Sequence, residues 1–600
     1  MSKIIQQLRN MRFFQWKKSG LLLSICFPFV LCIFAELGQC QSLKDFLVFT
    51  KDRFTIYLFS SLLIAIIYWS VALLVRKMWI STAITGILFM TISAVEYHKY
   101  VMTGSHFLFI DLSMATGFAD VTKFARLHFN PLLFFLILLT LLYVFAVWLT
   151  GYRLNGAFWK RCSACALMAG MTAIMIMVPA FFAPVCSVFG IDNRVTYNSY
   201  SEDERFDNNN MITNFTVSIN QTIATAVTEP EEYSEEVIEQ IITSSPSVQQ
   251  NAGDLTDDPE PEIQPNIIFI MSESYADFRR VDPELENADE IYADLDAVAS
   301  EGVQGTSVVP TFGNGTVKTE FELMFGLPVK SLGDAGIPHK LLKSGVEQDT
   351  FANMYKDAGY HTTYIHPFRS TFYDREDVYS EYGFDQMIFE DDFTIETQNF
   401  RTFMDDESAF RQAEQVLKAT DGPDYIHITT MQNHQPFIDG EGEETDNYFE
   451  GIQFSNKALR DFTNRLKEWD EPVILVFTGD HFPFFSPECD FYNQIGITID
   501  NCEKLYEKTW IVWNNYGADT SILPDSEKFS TFYLPHFIYK MAGLENPFVD
   551  VMLEVFEDEP LYSMAVNPTT SSELLNLLTY DRTIGEKYSD IGGTKFNFND

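Results

Sequence analysis

Runs of apolar residues divide this chain into two unlike parts. In the first third they reach bilayer-spanning length, on the order of 20 residues, at 20–38, 55–75, 78–96, 131–150 and 164–186, which predicts five transmembrane helices. Beyond residue 264 the runs shorten to the length of buried strands: NIIFIMS, HTTYIH, YIHITTM, VILVFT and WIVWN. Helix-period segments separate them, namely ELMFGLPV, TFANMYKDAGY, ESAFRQAEQVLKA and NYFEGIQFSNKALRDFTNRLKEW. Buried strands alternating with helices predict an α/β domain with a mostly parallel central sheet.

The same pattern sets the expected domain limits. A transmembrane domain covers 1–188, and an acidic juxtamembrane linker covers 189–263, with a short helix over MITNFTVSINQTIATAV. The globular α/β domain covers 264–565, and a tail reading as a surface appendage covers 566–600. The loop at 97–130 mixes aromatic and polar residues, and reads equally as a segment lying on the membrane surface and as a loop packed on the helices.

Charge adds direction. With the basic N-terminus in the cytoplasm, ten Lys/Arg of the membrane region fall inside and six outside. An odd number of spans then leaves everything after residue 186 outside the plasma membrane. That part carries 77 acidic and 25 basic residues, a solubilising surface that argues against nucleic acid as a partner. Six of the eight cysteines lie in the first third, and the Cys162–Cys165 pair lacks a second ligand pair, so packing is preferred over zinc. Cys489 and Cys502 are the exported cysteines; their pairing is left open.

Candidate chemistry sits at strand ends. Glu273 follows the first strand run, and Asp480 and His481 follow the fourth. In an open α/β sheet the carboxyl ends of the strands line one crevice, where distant residues converge. A carboxylate ending an apolar strand has to be paired, hydrogen-bonded or metal-bound, because an isolated buried charge is very costly. Taken alone, Glu273 reads as a cap or a salt-bridge partner, and Asp480-His481 as a turn. Two such sites in one domain shift the reading toward a metal. Thr316, in the turn NGTVKTEF, opens an amphipathic stretch. It is either an N-cap or a nucleophile toward a phosphate held at the helix N-terminus.

The ordered set PNIIFIMSES, NGTVKTEFELMFGLP, STFYDRED, MQNHQPF and VFTGDH behind five spans resembles the lipoteichoic acid synthase family. These are phosphoglycerol transferases of the sulfatase-like alkaline phosphatase superfamily, and the resemblance covers most of the chain. It implies an extracellular sulfatase-like domain and one manganese held by Glu273, Thr316, Asp480 and His481. Three oxygens and one nitrogen suit manganese, then magnesium, better than zinc. It further implies a pocket of His366, Tyr373, Arg375 and His434, with Arg375 gripping phosphate and His434 binding the phosphoglycerol or assisting proton transfer. By themselves these residues allow plainer readings: His366 as a strand cap, Arg375 as a surface ion pair, Tyr373 as core.

The implied reaction takes glycerol phosphate from phosphatidylglycerol, through a covalent intermediate on Thr316, to a glycolipid, a glycerol phosphate polymer or a glucan. The NGTVKTEF turn departs from the family's GKTSD-type turn, and Tyr373 stands where tryptophan is usual, so polymer synthesis stays open. A phosphoethanolamine transferase is the rival enzyme reading, against which the scarcity of exported cysteines counts. A sulfatase would need a C/S-x-P-x-R turn at the nucleophile. A non-catalytic envelope-binding membrane protein would not need an intact ligand set.

Overall fold

The computed structural model describes residues 2–11, 13, 16, 18–112, 129–196, 198–249, 263–333, 336–437, 442–486, 489–525 and 528–589. The chain divides into two compact units, the first built from the described residues up to Thr225 and the second from those after it.

Five helices of the first unit are long and apolar enough to cross a membrane: α1 Ser19–Cys40, α2 Phe54–Val75, α3 Met78–Thr103, α4 Pro131–Thr150 and α5 Phe158–Met177. They make the chain a multi-pass membrane protein. Two limits differ from the sequence expectation. α3 continues through EYHKYVMT until Gly104, whose φ of 63° ends it with a left-handed cap. The fifth span starts and stops earlier than 164–186, because Val178 is extended and Pro179, which lacks an N–H, opens a separate helix α6, Pro179–Phe189.

The segment expected as a linker is partly built into the two units. Asn198 and Asn210 cap helices α7, Ser199–Asn209, and α8, Met211–Ala224. Phe206, Met211, Ile212 and Val217 from this pair bury themselves in the same core as Leu31, Ile64 and Phe89 of the spans. Ile242 and Val248, further on, belong to the core of the second unit; residues 250–262 lie outside the described residues. Of the loop at 97–130, the described part packs within the first unit: the Phe107 and Phe215 rings stack at 5.3 Å, and Phe109 N–H donates to Ser218 Oγ at 2.9 Å. Residues 113–128 of that loop also lie outside the described residues.

The second unit holds an eight-stranded sheet. Its strands are β1 Asn266–Ser272, β2 Val303–Val308, β3 His361–Ile365, β4 Gln386–Ile388, β7 Asp424–Thr429, β8 Val473–Gly479, β9 Glu507–Asn514 and β10 Phe529–Ser530, and a separate hairpin pairs β5 Asn399–Phe400 with β6 Phe403–Met404. The order across the sheet is β10-β2-β9-β8-β1-β7-β3-β4. β1, β7, β8, β3 and β4 run parallel, and β10 runs parallel to β2, whereas β9 is antiparallel to both β8 and β2.

Register levels the ends that matter. Ser272 pairs with Gly479, and Ile270 and Ile365 both pair with Ile428, so β1, β8, β7 and β3 stop together at one edge. β1 and β8 are buried along their whole length, as central strands covered on both faces must be. Ile267, Phe269, Met271, Ile474 and Val476 share one core with Phe321, Tyr364 and Trp510, each burial worth about 1.5–3 kcal/mol. At the end of β8 a Cβ on Gly479 would stand 2.1 Å from the Tyr275 carbonyl oxygen, so the close passage of the chain after β1 requires glycine there. The region expected as a surface tail contributes a helix, Glu573–Thr583, whose Leu575 and Leu578 are fully buried in this core. Paired leucines at helical spacing, not the polar flanks, decide its place.

Candidate active site

Level strand ends put the sequence-predicted residues side by side. Glu273 is the first residue after β1, and Asp480 and His481 are the first two after β8; all three are buried. One ligand atom from each lies within 4.8 Å of the others. Thr316 reaches them from the start of helix α9, Thr316–Phe325, where Gly315, with φ 85°, turns the chain into the helix. Thr316 Oγ1 donates to Glu273 Oε2 at 3.1 Å and stands 3.5 Å from His481 Nε2.

The arrangement is fixed from outside. Asp480 Oδ1 accepts the backbone N–H of Ser274 and of His481, each at 2.7 Å. Ser274, held at φ 50°, donates its hydroxyl to Glu273 Oε1 at 2.8 Å, and Thr430 Oγ1 accepts the Glu273 N–H at 3.2 Å. Thr319 Oγ1, on α9, donates to the Asp480 carbonyl at 2.8 Å and so ties the helix that begins at Thr316 to the end of β8.

Donor chemistry at the centre fits a divalent cation. His481 Nδ1 lies 2.9 Å from the Phe482 carbonyl, which only accepts, so Nδ1 carries the proton and Nε2 presents a lone pair. That lone pair faces Asp480 Oδ2 at 3.2 Å and Glu273 Oε1 at 3.8 Å, while Asp480 Oδ2 receives no hydrogen bond from the described residues. Acceptors facing acceptors in a buried crevice leave a place for positive charge. Burial, and then the neighbouring charge of Asp480, push the Glu273 carboxyl up to about 7.

The remaining predicted residues come from neighbouring loops. His366 follows β3 and is buried; its Nδ1 bonds the Thr429 carbonyl at 2.9 Å, and its Nε2 has no hydrogen-bond partner among the described residues. Burial and the charge of Arg375 bring His366 down to about 3, so it is neutral. Arg375 is not a surface residue: it is buried, and its Nη2 donates to Glu320 Oε2 at 2.9 Å. Tyr373, half-buried with φ 60°, places its ring 5.3 Å from the Arg375 guanidinium, a cation–π contact. His434, on the loop after β7, lies edge-on to Phe403 at 5.4 Å; burial lowers its pKa, against its bond to the Gln435 carbonyl, while the charges of Asp480 and Arg375 act with opposite sign.

Several participants escape sequence reasoning. Glu320 is a buried acid one helical turn after Thr316; its signal is an acidic residue at helical spacing from the turn threonine. Lys508, on β9, is buried, donates to the Tyr275 carbonyl at 3.0 Å and lies 3.9 Å from the Phe482 ring; burial lowers its pKa well below the usual lysine range. Nothing in its local sequence points to the site. Cys489 and Cys502 are both free thiols.

Strand-end carboxylates, a helix-terminal threonine and a mostly parallel sheet thus sit together in the second unit of a chain with five apolar spans. Residues 265–544, within the second unit, match the family described as Sulfatase. The chain is 27% identical over 243 residues to a protein named lipoteichoic acid synthase from Staphylococcus saprophyticus, covering 36% of each. Its fold is similar to the Streptococcus pyogenes phosphoglycerol transferase GacH in complex with sn-glycerol-1-phosphate (TM-score 0.50, 20% identity, 60% of this chain and 97% of that one). It is also similar to the lipooligosaccharide phosphoethanolamine transferase EptA from Neisseria meningitidis (TM-score 0.51, 12% identity, 89% of this chain and 98% of that one). The chain spans less than half the length of the curated relatives it matches.

Proposed function

We propose that this protein is a phosphoglycerol transferase that moves glycerol phosphate from phosphatidylglycerol to a hydroxyl acceptor through an ester on Thr316. The observation that carries the reading is the buried Thr316 hydroxyl at a helix N-terminus, within 3.1–3.5 Å of Glu273 and His481 at two level strand ends. The synthase-named relative supports the choice of headgroup. The acceptor is a glycolipid, a glycerol phosphate chain or a glucan.

Glu273, Thr316, Asp480 and His481 would hold manganese, or magnesium in second place, which when bound would lower the threonine's pKa and offset phosphoryl charge. Thr316 Oγ bonds to phosphorus as its proton departs, the bond from phosphorus to the diacylglycerol oxygen breaks, and that oxygen takes up a proton. In the second half the acceptor oxygen bonds to phosphorus and Thr316 Oγ leaves. The net exchange of phosphatidylglycerol and acceptor hydroxyl for diacylglycerol and glycerophospho-acceptor conserves protons. Arg375 directs its Nε–H, unpartnered among the described residues, at a phosphoryl oxygen; neutral His366, whose Nδ1–H is spent on the Thr429 carbonyl, offers its Nε2 lone pair to a substrate hydroxyl, and neutral His434 takes the acceptor's proton. Covalent attachment to the spans keeps the site at the membrane, and the distribution of basic residues supports a cytoplasmic N-terminus and an external catalytic domain.

The test is release of diacylglycerol by the full-length protein in liposomes with manganese. Phosphatidylglycerol vesicles should turn over, and Thr316→Ala should lose roughly 10⁴-fold or more of that rate. Turnover confined to phosphatidylethanolamine vesicles would replace this reading with a phosphoethanolamine transferase.

A further inference from the structure

Outside the metal-type cluster, the second unit contains a buried ion pair between Glu320 and Arg375, one partner of which lies on the helix that begins at Thr316. Glu320 lies on α9, four residues and therefore one turn after Thr316, so the two side chains share a helix face. Its carboxylate is 1% exposed and receives three donors from three other elements: Tyr364 Oη of β3 at 2.9 Å, Thr429 Oγ1 of β7 at 2.9 Å, and Arg375 Nη2 at 2.9 Å. Burial alone would raise its pKa, but the charge and hydrogen bonding of Arg375 and its neighbours hold it at about 2, so it is anionic at every working pH.

Arg375 is equally buried and spends one edge of its guanidinium on this carboxylate. A long contact of Nη1 to the Phe372 carbonyl, at 3.4 Å, is its other hydrogen bond among the described residues. Its Nε is buried without a partner among the described residues, and so is Nε2 of His366, whose ring lies close enough for the Arg375 charge to depress its pKa. A buried guanidinium N–H without a partner is costly, and it fits an oxygen of a phosphoryl group, whereas the His366 Nε2 lone pair, its Nδ1–H being spent on the Thr429 carbonyl, fits a hydroxyl donor.

We propose that Glu320 is a positioning residue, which through its ion pair fixes the orientation of Arg375 toward the phosphoryl oxygens of a phosphodiester above Thr316. Since Glu320 rides on the nucleophile's own helix, one rigid turn sets the spacing between the attacking oxygen and the guanidinium. A threonine-to-arginine distance held in this way is a pre-organised transition-state contact, not a flexible clamp. The inference rests on the reading of Arg375 as the phosphate-holding residue.

The experiment is equilibrium binding of inorganic phosphate to the full-length, manganese-loaded protein in detergent, for wild type, Glu320→Gln, Arg375→Ala and the double variant, with diacylglycerol release from phosphatidylglycerol measured in parallel. Glu320→Gln should weaken phosphate binding roughly ten-fold or more and lower kcat by about 10²-fold, with manganese affinity unchanged. In the Arg375→Ala background the same substitution should add less than about three-fold, since residues acting through one group are not additive. Glu320→Asp, which keeps the charge, should recover part of the loss and serves if the glutamine variant fails to fold.

Unchanged phosphate affinity in both Glu320 variants, losses that multiply in the double variant, or a wild type that binds no phosphate would each overturn the proposal. Phosphate binding that weakens as described without turnover of phosphatidylglycerol would sink the donor reading and leave Glu320 in its role. Turnover of phosphatidylglycerol indifferent to Glu320 would do the reverse.

Discussion

Each unit of this protein buries a histidine between carboxylates, and the two clusters resolve their charge in opposite ways. In the first unit His106, just past α3, has Glu96 Oε1 at 2.6 Å from Nδ1 and Asp203 Oδ1 at 3.1 Å from Nε2. Its ring is stacked between Tyr100 at 4.7 Å and Phe206 at 3.5 Å. Lys99 adds a second cation, paired with Asp111 at 2.7 Å and bonded to the His106 carbonyl. Every nitrogen of the imidazole faces an anion, so the cluster supplies its own positive charge. In the second unit His481 spends Nδ1 on a carbonyl and turns a lone pair toward two carboxylates. The first is a closed structural clamp, whereas the second is short of a cation. A buried histidine among acids is therefore not a metal site by composition; what discriminates is the partner of the second ring nitrogen.

The largest effect that separates them is on folding. His106→Ala would strand the buried Glu96 and leave the half-exposed Asp203 without its partner, and breaking a buried pair from one side costs about 3–5 kcal/mol. The first unit of the variant should melt well below that of wild type while the second unit's transition stays in place. Equal melting of wild type and variant would mean the clamp is not charged.

pH gives a comparable signal. Burial lowers the His106 pKa, but hydrogen bonds to Asp203 and Glu96 outweigh it and raise the value from 6.5 to about 9. A raised folded value means the contribution is complete below about 6.5 and disappears as pH climbs through 9, a loss of roughly 3 kcal/mol. Glu273 is raised as well, from 4.5 to about 7. In metal-free protein the second unit should therefore lose stability over the lower window, between pH 4.5 and 7. Thermal melts of the metal-free protein across pH 4–9.5 should show the two losses in separate windows; a single shared window would erase the distinction.

How much of this was legible in the sequence depends on whether a feature is local. The runs NIIFIMS and VILVFT are continuous apolar stretches, and they form β1 and β8 with Glu273 and Asp480 at their ends, because a buried parallel strand needs apolar residues on both faces. WIVWN reads as a buried strand too, but apolar content says nothing of direction, and β9 runs antiparallel. β2, VQGTSV, has no apolar run and half-exposed residues, so its insertion between β9 and β10 is not readable. Arg375 looked like a surface charge within DRED because its partner, Glu320, is 55 residues away in sequence. The His106 clamp is invisible for the same reason: Asp203 belongs to a polar helix that reads as linker until α7 and α8 pack their apolar faces.

Cation addition is the next smaller test. A ligand that binds only the folded second unit stabilises it by about 2.7 kcal/mol at 100 times its Kd. Manganese at that excess should raise the second unit's melting transition, and chelation should reverse the shift, with the first unit's transition unmoved. A parallel shift of both transitions would indicate nonspecific binding to the acidic surface.

Glu273→Gln sharpens the comparison at the smallest magnitude, because its expected sign is opposite to that of His106→Ala. The amide keeps the size of the side chain and an oxygen able to accept from Ser274 or Thr316, but removes one of two adjacent buried negative charges. Replacing an uncompensated charge with a neutral isostere relieves both desolvation and repulsion from Asp480, by about 1–2 kcal/mol. In metal-free protein at pH 8 the variant's second unit should melt above wild type, and manganese should no longer raise it. A variant that melts below metal-free wild type would show that Glu273 is paired within the protein as Glu96 is, and the contrast between a self-neutralised cluster and one awaiting a cation would fall.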